Sequence, residues 1–113
     1  MSLTYLQTDD PTALTRIKDM PVLVDFFSNS CQPCLLMHPE LEAYAEHHPG
    51  IRVVCVSADI HPKTTAFFCV RLLPTLLVLK DGKRLDITIG AKTEEMLDSF
   101  VTKVLEIHGL SEK

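Results

Sequence analysis

The sequence has no run of basic residues, no repeat, no low-complexity stretch and no apolar segment of membrane-spanning length. Each absence removes a class of function. Lysine and arginine number 11 against 15 aspartates and glutamates, a formal charge of −4. Binding to a phosphate backbone needs a positive patch, so no nucleic acid partner is expected. The longest apolar stretches, such as Leu72–Leu79, are short and carry a proline. They fall far below the ~20 residues of a membrane span, so no membrane association is expected. No basic segment followed by an apolar run opens the chain, so no signal peptide is read and a cytoplasmic location is expected. Four cysteines in 113 residues are too few for a disulfide scaffold. What remains is ordinary globular composition, 46% apolar and 23% charged. That suits one domain over residues 1–113, long enough to close one core and expected to be a monomer.

Turn signals and periodicity then divide the chain. Asp9, Asp10 and Pro11 start a short helix reaching about Lys18, with Leu14 and Ile17 inward. Pro21 opens Val22-Leu23-Val24-Asp25-Phe26-Phe27, a β-branched and aromatic run that reads as a strand buried on both faces. Ser28-Asn29-Ser30 is a polar turn. Pro33 then sits in the first turn of a helix running to His47, with Met37, Leu41, Tyr44 and His48 on one stripe. Pro39 should kink that helix, and Pro49-Gly50 stops it.

Ile51–Val56 is the second buried strand. A short helix over Pro62–Val70 is expected to turn Ala66 and Phe67 or Val70 inward. Thr75–Lys80 is the third core strand. Asp81-Gly82 is a hairpin signal that pairs Lys83–Ile89 antiparallel with it. Thr93 caps a last helix with Glu94 and Glu95 in its positive first turn. Met96, Leu97, Phe100, Val101, Val104 and Leu105 form its apolar face, and Gly109 ends it. With a small strand at Thr4–Gln7, this order is α/β, a mixed sheet with helices on both faces.

The chemistry concentrates at Cys31-Gln32-Pro33-Cys34. A dithiol exchanger needs two sulfurs close enough to bond, one exposed and one held back, and two intervening residues at a helix start supply that. Cys31 would lie beside unpaired backbone N–H groups at the positive end of the helix, which favours thiolate over thiol. Cys34, one turn in, would be more buried and would resolve a mixed disulfide. A zinc site is the other reading. His38 shares a helix face with Cys34, and Cys55, Cys69 and His61 are the candidates for a fourth ligand.

Two further residues carry paired readings. Asp25 inside an apolar strand is either at a strand edge or a buried acid that moves a proton to or from Cys34. Pro74, directly before a core strand, either starts that strand without a donor or forms a cis peptide facing the dithiol.

Together these residues resemble the thioredoxin family from about Leu3 to Ile107. The signposts are Val24-Asp25-Phe26, Cys31-Gln32-Pro33-Cys34, Pro39, Leu73-Pro74-Thr75, Asp81-Gly82 and Gly90-Ala91. The resemblance implies the thioredoxin fold, a central mixed β-sheet of four to five strands flanked by four helices. It also implies that Thr75–Lys80 runs antiparallel to Val22–Phe27. By resemblance Cys31 is the attacking thiol, Cys34 the resolving thiol and Asp25 the buried acid. Pro74 is the cis proline, with the Leu73 peptide open to substrate backbone. Gln32, Pro33, Gly90 and Ala91 complete the substrate-facing rim. A typical member reduces protein disulfides without organic cofactor or metal and is re-reduced by a flavin-dependent, NADPH-linked reductase.

Four departures stand out. Ser30 precedes the first cysteine where the family usually has tryptophan, and the chain has no tryptophan at all. Phe27 stands where a second tryptophan is common. The middle pair is Gln32-Pro33 rather than glycine-proline. Cys55 aligns where a lysine often pairs with the buried acid, and without that cation Asp25 should be harder to ionise. These departures keep open a second reading, an adaptor module with a non-catalytic dithiol. Cys55 reads as a core residue, and Cys69 as either packed or exposed and redox-sensitive.

Overall fold

The computed structural model describes residues 3–112. Its strands are β1 (Leu3–Tyr5), β2 (Val22–Phe27), β3 (Arg52–Ser57), β4 (Thr75–Lys80) and β5 (Lys83–Ile89). Its helices are α1 (Thr12–Thr15), α2 (Gln32–His47), α3 (Pro62–Phe67) and α4 (Glu94–Ile107). The strands form one sheet in the order β1-β3-β2-β4-β5. β3 runs parallel to β1 and β2, while β4 runs antiparallel to β2 and β5.

Alternation along the strands splits the core into two layers. Leu23, Val53, Cys55, Leu76 and Val78 pack with Met37, Leu41 and Tyr44 of α2 and Leu97, Val101, Val104 and Leu105 of α4. Val22, Val24, Phe26, Val54, Val56, Leu77 and Leu79 pack with Leu14 of α1 and with Phe68. The three central strands are therefore buried on both faces, which is why each reads as a continuous apolar run. Each fully buried side chain of this kind contributes roughly 1.5–3 kcal/mol.

Three expectations need correction. α1 ends at Thr15, not near Lys18, and Arg16 caps it. α3 ends at Phe67, and it buries Thr64 while Ala66 and Phe67 are exposed. Cys69 takes a left-handed φ of 59°, and the Val70 and Cys69 N–H groups donate back to Thr65 and Ala66 carbonyls. This is the helix-ending turn that Gly109 makes after α4. Phe68, whose N–H still donates to the Thr64 carbonyl at 3.2 Å, lies one turn after Thr64 on the same face, so those two enter the core while Phe67 stays out. Met96 is half-exposed, so the α4 stripe begins at Leu97.

Asp81 and Gly82 both have left-handed φ, 54° and 79°, as a two-residue hairpin turn requires. A Cβ on Gly82 would stand 2.7 Å from the Thr15 carbonyl oxygen, so the hairpin packs on the end of α1 only with glycine there. Gly82→Ala is expected to cost more than about 1 kcal/mol, read as a lower denaturant midpoint at unchanged slope. An unchanged midpoint would contradict this packing.

Candidate active site

The sheet register brings the expected site residues to one end. Phe26 on β2 lies opposite Thr75 on β4, and Thr75 lies opposite Ile89 on β5. The turn after β2, Pro74 before β4 and Gly90 after β5 are therefore neighbours. This is also the carboxyl end of the parallel strands, where such sheets carry their sites.

The chain leaves β2 and enters α2 within four residues, and Ser28 fixes that turn. It is buried, and its hydroxyl donates to Asp59 Oδ2 at 2.8 Å and accepts from the Ser30 N–H at 3.2 Å. The Cys31 N–H donates to the Ser28 carbonyl at 3.2 Å. Ser28 and Asp59 are 31 residues apart, so no local sequence signal announces the pair.

Cys31 is the N-cap of α2, with extended backbone (φ −95°, ψ 107°). Its Sγ accepts from the Cys34 N–H at 3.3 Å. The two cysteines form a disulfide, their Cα atoms 5.3 Å apart. Cys31 is half-buried, Cys34 is buried, and Gln32 and Pro33 between them are exposed. A sulfur at a helix N-terminus that receives an N–H is stabilised as thiolate.

The Leu73–Pro74 peptide bond is cis. Pro74 is buried and Leu73 half-buried. The Pro74 carbonyl accepts from the Gly90 N–H at 2.9 Å, which ties Gly90 and the exposed Ala91 to this loop. Lys92, which carries no sequence signal, donates Nζ to the Ile89 and Gly90 carbonyls at 3.0 Å each.

Asp25 is 3% exposed. Its partners in register are Cys55 on β3 and Leu76 on β4, and among the described residues its Oδ1 has no hydrogen-bond partner. Burial pushes its pKa up to about 7. Cys55 is also buried; burial first, then the charges of Asp25 and Glu42, push its thiol well above the usual range. The acid therefore faces a neutral thiol. Asp25 and Cys34 line one cleft of about 400 Å³, together with Tyr5, Phe27, Asn29, Leu35 and His38. A second cleft of about 240 Å³ shares Tyr5, Phe27 and Asn29 and reaches Cys55.

The groups weighed for zinc lie otherwise. His38 stacks on Tyr5, Cys55 is buried and Cys69 is exposed. Among the described residues no group of three or more His, Cys, Asp and Glu is placed to hold a metal ion. No helix of the described residues is long and apolar enough to cross a membrane.

The family model for thioredoxin matches residues 6–103. The chain is 39% identical to the thioredoxin of Porphyra purpurea over 88 residues, 77% of this chain and 82% of that one. It is 38% identical to the thioredoxin of Alicyclobacillus acidocaldarius over 89 residues, 78% and 85% of the two chains. The X-ray structure of Fasciola hepatica thioredoxin matches with a TM-score of 0.72 at 34% identity, covering 76% of this chain and 82% of that one. The chain belongs to the thioredoxin family. Like its thioredoxin relatives it is a thiol-disulfide oxidoreductase, with Cys31 and Cys34 as the redox couple. The adaptor reading is not favoured.

In this thioredoxin fold the neutral surroundings of Asp25 have a measurable consequence. An ordinary aspartate ionises near pH 4, whereas Asp25 holds its proton to about 7. The folded state thus binds the extra proton, and stability falls as pH rises from about 4 to about 7, then levels. Oxidised Asp25→Asn should match the parent near pH 4 and exceed it near pH 8, by up to about 4 kcal/mol in denaturant unfolding. A stability difference that is the same at both pH values would contradict the buried acid.

Proposed function

We propose that Cys31 attacks and Cys34 resolves in the reduction of disulfides on protein substrates. The observation that supports this most is the asymmetry of the pair. Cys31 caps α2 and is partly accessible, while Cys34 is buried in the cleft it shares with Asp25.

In the reduced protein the Cys31 thiolate attacks one sulfur of the substrate disulfide. The S–S bond breaks, and the electron pair leaves on the other substrate sulfur. A mixed disulfide now joins Cys31 to the substrate. The Cys34 proton passes to the Asp25 carboxylate, and the Cys34 thiolate attacks Cys31 Sγ. The second substrate sulfur leaves as thiolate, and Cys31–Cys34 is oxidised. The substrate gains two electrons and the protein loses two. Re-reduction falls to a flavin-dependent, NADPH-linked reductase in the cytoplasm, and no bound cofactor or metal takes part.

The rim residues take the substrate backbone in this reading. The Leu73 peptide group before cis Pro74 offers an extended peptide its hydrogen bonds, in the manner of strand addition. Gly90 and Ala91, joined to Pro74 through the Gly90 N–H, border the same strip. Gln32 and Pro33 present the exposed surface between the two sulfurs.

Insulin reduction in the presence of dithiothreitol tests the assignment. Cys31→Ser should lose turnover. Pre-reduced Cys34→Ser, mixed with insulin after the reductant is removed, should perform one attack and accumulate a mixed disulfide, visible as an added mass that fresh dithiothreitol removes. Full insulin reduction by Cys31→Ser would overturn the assignment.

A further inference from the structure

Each cycle of the proposed reaction leaves a proton on Asp25, which must reach solvent before the next resolving step. Asp25 is buried between Cys55 and Leu76, and its Oδ1 has no hydrogen-bond partner among the described residues. Cys55 gives no exit, because its thiol stays neutral and buried. The 400 Å³ cleft is the remaining direction. Asp25, Cys34, Tyr5, Asn29 and His38, all residues with polar side-chain groups, are among those that line it. Such a cleft is roomy and polar enough for bridging waters.

His38 stands at its rim, on the turn of α2 that follows Cys34. Its side chain is 45% exposed, so one side of the ring meets solvent while the residue also lines the cleft. Two neighbours hold it. The ring stacks on Tyr5 with centroids 6.2 Å apart, and the Tyr5 hydroxyl lies 3.2 Å from Nε2. The Glu42 carboxylate, one turn further along α2, stands 3.7 Å from Nε2. The titratable groups around His38 are thus Tyr5 on β1, Asp25 on β2, and Cys34 and Glu42 on α2, with Cys55 on β3 beyond them against Tyr5 and Asp25. Burial raises the Tyr5 phenol above its usual range, so Tyr5 does not lose its proton near neutral pH. An imidazole has two ring nitrogens, so one can accept a proton while the other gives one up.

We propose that His38 relays the proton between Asp25 and solvent during the resolving step. The proton on Asp25 moves through water in the cleft to a His38 ring nitrogen, the other nitrogen gives one to bulk water, and the freed carboxylate then takes the Cys34 proton. Protons balance, and no oxidant or reductant beyond the substrate disulfide is needed. His38 is a positioning residue here, because it acts through Asp25 and not on sulfur. Tyr5 orients its ring, and Glu42 offers the transient imidazolium a counter-charge.

The inference rests on the roles proposed for Cys34 and Asp25, so the experiment separates the two. Reduced protein carrying Cys69→Ser is mixed with the aromatic disulfide of Ellman's reagent. The first thionitrobenzoate reports attack by Cys31, and the second reports resolution by Cys34. His38→Gln should leave the first release unchanged, slow the second about tenfold and alter its dependence on pH. Added imidazole should restore the second release in His38→Ala but not in Asp25→Asn. A second release in His38→Gln with the parent rate and pH profile overturns the relay. So does a slowed release in His38→Ala that imidazole fails to restore, since that marks a packing role. If Asp25→Asn itself resolves at the parent rate, the acid's role and the relay fall together. A loss confined to His38→Gln and His38→Ala, with Asp25→Asn unaffected, also contradicts the relay.

Discussion

Asp25 stands on β2 between Cys55 and Leu76, and neither neighbour can solvate a charge. β2 is bonded on both sides, so the carboxyl cannot move to water without breaking the centre of the sheet. Its proton is therefore retained to a pH where thiols begin to ionise, and the group becomes useful as an acid and a base. The same strand runs directly into the α2 turn, so the disulfide is built over this carboxyl. Placing the acid and placing the dithiol are two results of one piece of backbone.

The departures from the family pattern alter the surroundings of this core without moving it. Ser30, before Cys31, joins the hydroxyl network of Ser28 and Asp59 instead of presenting a flat aromatic. Phe27, where an indole is common, meets Tyr5 edge-on at 6.0 Å and lines both clefts. A phenyl ring fills less of that face than an indole does. The thiol of Cys55, held neutral, removes the cation that would otherwise ease ionisation of Asp25. Phe27 and Cys55 line clefts beside Tyr5 and Ser30 directly precedes Cys31, so partner choice and proton traffic are where this protein should differ from its relatives.

The sheet, the four helices and the dithiol were legible because each has a local cause. A continuous β-branched run marks a doubly buried strand, Asp81-Gly82 marks a hairpin, and a proline beside a cysteine pair marks a helix start. α3 was misread for the opposite reason. Thr64 is buried although polar, and Phe68 shares its helix face one turn on, so the inward stripe starts from a residue whose type does not announce it and leaves Ala66 and Phe67 outside. The Ser28–Asp59 bond and the cleft joining Tyr5, Asp25 and His38 link residues distant in the chain. Such pairings follow from sheet order, and the antiparallel direction of β4 against β2 follows from the family resemblance rather than from periodicity.

This arrangement is expected to make Cys31–Cys34 a reducing couple. The direct measurement is its reduction potential, obtained by equilibrating the protein in graded dithiol/disulfide buffers and counting trapped thiols by mass. A value near about −270 mV, the thioredoxin level, is the result predicted here. A value between about −120 and −180 mV would identify an oxidant or isomerase and contradict the account.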